Sequence, residues 1–384
     1  MKSHNIRKNA LSSIIVILCL LIFGLGFRVF DQTPPASQRW HPRRVPVDAR
    51  FVGDKACAEC HKKMALTQAQ SSMGMAMEPV GESKVLTQNA RMTFRSGPYS
   101  YEIKRQGKQS IYTVTDGKDA ISLPILYAFG QGKAGQTYLL QYDGAYYESL
   151  VSYYREVAGL DFTIGAPRGV PESLQKALGR RLGETETGNC FACHSTGGVR
   201  GGKISLEKMI PGVHCEACHG PGQSHVDAIR QGEAGGKVIF NPANLGGDEL
   251  SQEFCAACHR GSEEFGLLSS MEINNVRFQP YRIFHSKCYS DDRRIACTAC
   301  HNPHEPLSQD VASYDKKCLA CHAISEHPAE VKAEPATQTL APACKVATKD
   351  CVSCHMPKIG PPAAHFKFTD HYIRIVKPKE AYPT

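Results

Sequence analysis

Seven segments of this 384-residue chain repeat one pentapeptide, Cys-x-x-Cys-His. They are Cys57/Cys60/His61, Cys190/Cys193/His194, Cys215/Cys218/His219, Cys255/Cys258/His259, Cys297/Cys300/His301, Cys318/Cys321/His322 and Cys351/Cys354/His355. Two thiols three positions apart, followed at once by an imidazole, could hold zinc, cycle as a redox dithiol, or attach a c-type haem. A zinc ribbon takes four thiolates from two pairs, favours an even number of pairs, and has no use for a histidine after each one. Thioredoxin-like chemistry needs one exposed dithiol, so seven would be gratuitous. Covalent haem c accounts for every feature. The thiols add to the two vinyl groups, and the histidine, one helical turn beyond the first cysteine, coordinates the iron. The expectation is seven covalently attached haem c groups, with these cysteines as attachment points and these histidines as proximal ligands.

Function then turns on the second axial ligand. An iron with two protein ligands carries electrons, whereas one with an open side can do chemistry. Sixteen histidines less seven proximal ones leaves nine, of which His4 belongs to the leader. The remaining eight for seven irons are His41, His214, His225, His285, His304, His327, His365 and His371. His304, three residues beyond a proximal histidine, is placed to reach a neighbouring haem rather than its own. His225 follows a Gly-Pro-Gly turn that redirects the chain. His365 and His371 lie six apart near the end, and with His225 and His304 they make the favoured distal set. His285 and His327 are candidates that could equally be solvated loop residues. His214 abuts Cys215, so it serves a different haem or is structural, and His41 lies in a tether. For the first haem, "SSMGMAM" offers Met73 as a thioether ligand that would raise the potential, although methionines packed on a porphyrin read the same way.

These sites need elements to hold them. Residues 11–30 form an apolar run behind Lys2, Arg7 and Lys8. The run predicts an N-terminal helix anchoring the chain on the periplasmic side of the inner membrane, or a signal whose cleavage leaves it periplasmic. Residues 31–50 read as a Pro-rich tether and 51–89 as the first haem segment. Residues 90–165 alternate aromatic or β-branched with polar residues, and carry turn signals at Gln106-Gly107, Asp116-Gly117 and Asp143-Gly144. They predict an antiparallel β-rich segment without cofactor, its tyrosines a packing face. Residues 166–384 hold the other six motifs on short helices and loops wrapped around a haem stack. A disulfide between the leftover Cys288 and Cys344 would suit an oxidising compartment; Cys19 is the third leftover.

The formal charge of +8 is no evidence for nucleic acid. Seven haems add about −14 through their propionates and return about +7 when ferric, so the holoprotein is close to neutral.

The blocks "GVHCEACHGPGQSHV", "CTACHNPH" and "CVSCHMPK…HFKFTDHYI" resemble the superfamily that contains hydroxylamine oxidoreductase, pentahaem nitrite reductase and a tetrahaem electron-transfer relative. They also resemble multihaem cytochromes that insert a β-rich segment after an isolated first motif. The resemblance covers most of residues 51–375, and it places His225, His304, His365 and His371 at positions used as distal ligands. Two departures matter. No Cys-x-x-Cys-Lys marks a catalytic haem, and Met73 stands where relatives often have histidine. The reading is a multihaem cytochrome c that relays electrons between redox partner proteins, quinol-linked or other cytochromes, without binding nucleic acid. The rival is a reductase or oxidase of a small nitrogen or sulfur compound, with one five-coordinate haem; the first haem is its leading candidate.

Overall fold

Period-two alternation builds the β-rich part. In β3 (Tyr99–Gln106) Tyr99, Tyr101 and Ile103 point inward, and in β4 (Gln109–Thr115) Ser110, Tyr112 and Val114 do. The computed structural model describes residues 40–265, 272–289, 295–322 and 344–376. Among them, β2 (Arg91–Ser96), β3, β4 and β5 (Ala120–Pro124) form a four-stranded antiparallel meander in sequence order. A second sheet runs β1 (Met77–Pro79), β6 (Tyr127–Phe129), β7 (Thr137–Tyr142), β8 (Ala145–Ser149) and β11 (Gly179–Leu182). β9 (Val151–Tyr154) and β10 (Gly159–Phe162) make a hairpin. The expected turn at Asp143-Gly144 is a two-residue one, with both residues at positive φ and Tyr142 facing Ala145.

The two sheets and the hairpin share one core, containing Tyr101, Tyr112, Tyr138, Leu140, Tyr147, Val151 and Phe162. The tyrosines are therefore a packing face. The β structure also reaches beyond residues 90–165 at both ends, because β1 and β11 complete the second sheet. A smaller cluster of Met77, Leu139, Leu182 and Phe191 joins that sheet to the helix Glu184–His194, which ends in the second motif.

Beyond residue 184 the chain is short helices, turns and two-stranded ladders. The molecule is thus a mixture of short helices and antiparallel sheets. Among the described residues no helix is long and apolar enough to cross a membrane. That finding corrects the inner-membrane location drawn from residues 11–30. Those residues, with Cys19 and His4, lie outside the described residues, as does His327.

Candidate haem sites

Each motif sits on a single helical turn. The His61 backbone N–H donates to the Cys57 carbonyl at 2.8 Å, and that of His301 to Cys297 at 3.0 Å. The second, third, sixth and seventh motifs lie on the helices Glu184–His194, Cys215–His219, Val311–His322 and Cys351–His355. The fourth follows a π-helical turn, Glu249–Cys255. First cysteine and histidine therefore share one face in each, as a haem clipped by thiols and held by imidazole requires.

The second cysteines fall into two groups. Cys193, Cys218 and Cys258 are half-buried, whereas Cys60, Cys300, Cys321 and Cys354 are exposed. The reason lies between the cysteines of each pair. Phe191 in the second motif, Glu216 and Ala217 in the third and Ala256 in the fourth are buried and seat those turns in the protein. No residue between the two cysteines is buried in the first, fifth, sixth or seventh motif. Those four turns lie at the surface, with Cys60, Cys300, Cys321 and Cys354 on the outer side.

Three proximal imidazoles face a second imidazole across a gap. Ring centres are 6.4 Å apart for His61 and His225, 6.0 Å for His219 and His304, and 6.1 Å for His301 and His371. The planes of the second pair lie within 9°. Two imidazoles bonded to one metal through nitrogens at about 2 Å hold their centres about 6 Å apart, the separation found in each pair. The donor set and its spacing fit one iron between each pair. Each pairs a proximal histidine with a residue far away in sequence.

Hydrogen bonding sets the ring state. Nδ1 of His194 contacts the Ala76 carbonyl at 3.2 Å, His219 that of Phe240 at 3.0 Å, and His355 that of Arg374 at 2.9 Å. The distal candidates do the same, His225 with Gly235 at 2.9 Å and His371 with Thr369 at 3.0 Å. A carbonyl only accepts, so Nδ1 carries the proton and Nε2 keeps its lone pair, the tautomer a metal ligand needs. Burial also lowers the pKa of His194, His219, His259 and His301, and pushes that of His371 down to about 4. Neutral imidazole is the ligating form.

Cysteines of different motifs also meet. Cys57 lies against Cys215, Cys193 against Cys258, Cys255 against Cys297, and Cys318 against Cys351. Cys218 stands near Cys255 and Cys258, and Cys300 near Cys318. Followed through these contacts, the motifs run first, third, fourth, fifth, sixth, seventh, with the second attached beside the fourth. Among the described residues no group of three or more His, Cys, Asp or Glu side chains is arranged to hold a metal ion.

Other expected ligands fall elsewhere. His225 stands opposite His61, and Val213 donates its N–H to the Met73 carbonyl, tying that segment to the approach of the third motif. Both nitrogens of His214 are engaged, by Asp54 and the Pro211 carbonyl, so it is held structurally. His365 places Nε2 at 2.6 Å from Asp161 and its ring 4.8 Å from Tyr154. His285 is exposed at the end of the helix Gln279–Phe284, and His41 packs beside Arg43 and Arg44. Cys288 and Cys344 are free thiols, with no disulfide between them.

Two carboxylates that the motif pattern does not single out bind the sites together. Glu216, inside the third motif and buried, accepts N–H groups from Val52, Gly53 and Gly222 at 2.8–3.1 Å. Asp315 accepts those of Asp350 and Cys351, both at 2.8 Å, fixing the start of the seventh motif to the helix of the sixth.

Helical clips, facing imidazoles and packed motif cysteines are the arrangement that a multihaem c-type cytochrome requires. Comparison with known proteins supports that family. The family model "Cytochrome c554 and c-prime" matches residues 170–220. The chain is 36% identical over 107 residues to cytochrome c-554 of Nitrosomonas europaea, covering 25% of this chain and 46% of that protein. It is 22% identical over 215 residues to the multiheme cytochrome MtrA of Shewanella baltica, covering 44% of this chain and 63% of the relative. The chain thus spans less than two thirds of either relative's length. No solved structure matches. These similarities imply covalently bound haem c.

Proposed function

We propose that this protein is a heptahaem c-type cytochrome that relays electrons between redox partner proteins such as other cytochromes. In this reading it is periplasmic and reaches that compartment by a cleaved leader. The observation that carries the relay is the set of three imidazole pairs spaced for one iron each. We assign His61/His225, His219/His304 and His301/His371 as axial pairs. Bound haem iron supplies one-electron exchange between ferrous and ferric states. The protein's own part is to orient Nε2 of His219, His225 and His371 through their Nδ1–carbonyl bonds. Its packed motif cysteines also bring neighbouring sites close enough for hopping.

Carbon monoxide added to the dithionite-reduced holoprotein tests this. The relay reading expects an unchanged visible spectrum in the parent protein. It also expects a Soret shift of about one haem in seven after His225→Ala, His304→Ala or His371→Ala. Three variants that leave the spectrum untouched would overturn the assigned pairs.

One observation favours the rival. With His214 engaged at both nitrogens and Nε2 of His365 taken by Asp161, six of the eight spare histidines remain for seven irons. An iron without a second imidazole would take a methionine or stay open. A shift of one haem's size in the parent protein would establish an open iron, and screening would begin with nitrite and hydroxylamine.

A further inference from the structure

The segment Asp370–Arg374 is held by buried polar groups at nearly every residue. Arg282 and Asp370 are both fully buried. Nε and Nη2 of Arg282 donate to the two carboxylate oxygens of Asp370, each at 2.8 Å, while Nη1 donates to Asn275 at 3.1 Å. Arg374 adds a third bond to Asp370 at 2.7 Å, and the Tyr372 N–H a fourth at 3.0 Å. Ser286 donates to the His371 carbonyl at 2.9 Å and accepts from the Ile373 N–H at 2.8 Å.

A buried ion pair gives little net stability over an apolar pair of equal volume, since desolvation offsets the attraction. What a two-pronged guanidinium–carboxylate contact supplies is fixed geometry. Here it fixes a segment with two outputs. His371 faces His301 of the fifth motif, and the Arg374 carbonyl accepts from Nδ1 of His355 in the seventh.

We propose that Arg282 and Asp370 are positioning residues that set two haem sites together: the distal ligand of the fifth and the orientation of the proximal histidine of the seventh. The proposal rests on the assignment of His371 as an axial ligand. Arg282 touches neither iron and acts through the segment it clamps.

The test compares Arg282→Met, Asp370→Asn, Arg282→Lys and His371→Ala as haem-loaded full chains. Each is read by carbon monoxide binding, low-spin electron paramagnetic resonance and redox titration. His371→Ala should open one haem and leave the seventh-motif component of the titration in place. Arg282→Met and Asp370→Asn should open that same haem, losing about one seventh of the low-spin signal, and should also shift a second titration component. Arg282→Lys keeps the charge but not the fork, so its effect should be smaller. If His371→Ala opens a haem while Arg282→Met and Asp370→Asn leave spectrum and titration unchanged, the clamp has no positioning role. If His371→Ala opens none, the ligand assignment fails and the inference falls with it. Should Arg282→Met not accumulate as holoprotein, Asp370→Asn decides alone, because its side chain keeps the volume and one oxygen acceptor.

Discussion

Asp54 and His214 form a close pair beside the first and third motifs, both partly buried. Burial opposes the charge on each. For His214 the hydrogen bond and charge of Asp54 prevail and raise its pKa above the ordinary histidine value; for Asp54 those of His214 lower its pKa. A raised histidine contributes stability below its unfolded pKa and loses it as pH climbs through the folded one. A lowered carboxylate contributes above its unfolded pKa and loses it as pH falls. The pair should therefore stabilise the fold most between about pH 4 and 6.5, fading on the alkaline side once His214 deprotonates. Thermal unfolding of His214→Gln against the parent protein should show a destabilisation near pH 5.5 that shrinks by pH 9. A difference independent of pH would mean that His214 matters by shape alone.

Within the β-rich part, two buried tyrosines separate packing from hydrogen bonding. The Tyr154 hydroxyl donates to the Phe162 carbonyl at 2.8 Å, whereas that of Tyr138 has no partner among the described residues. Tyr154→Phe should cost about 1 kcal/mol and Tyr138→Phe nothing, or should stabilise, as calorimetry of the two variants would show.

These strands were legible in sequence because their alternation is local, as were the seven motifs. β1 and β11 were not, being short segments that become strands only on finding β6 and β8. The Gly-Pro-Gly turn was legible as a redirection but not for its reason. Gly220 has φ 75°, and a Cβ there would come within 3.0 Å of Trp40, whose indole N–H is bonded to the Ala217 carbonyl. Partners of His225, His304 and His371 were hidden for the same reason as that of β11. Spacing along a chain states which histidine follows a cysteine pair, not which one comes to face it. In Phe-Thr-Asp-His the pattern marks the histidine as a ligand type, while the aspartate before it meets an arginine 88 positions away.

Taken whole, the contacts between motif cysteines give the proposed relay a shape. Six motifs form one row, and the second is a side branch against the β-rich part, where Phe129 packs on His194 at 5.3 Å. Loss of attachment at the branch, by Cys190→Ser with Cys193→Ser, should leave the remaining haems in rapid exchange. Cys297→Ser with Cys300→Ser should divide them into two slowly equilibrating groups. Stopped-flow reduction with a substoichiometric donor would distinguish one phase from two, and two phases in both variants would mean that the second haem lies in line.

The carboxylate of Glu216 also bears on how the chain assembles. It takes N–H groups from residues 52 and 53 on one side and residue 222 on the other, so it closes a loop of more than 160 residues. With the first motif beside the third and the second beside the fourth, neighbours in space interleave along the chain. None of these early sites can reach final form in order of synthesis, since each waits for one made later. Long-range closures of this kind slow folding. The first motif thus stays unenclosed until the third motif arrives, and its cysteines are open to maturation in the meantime.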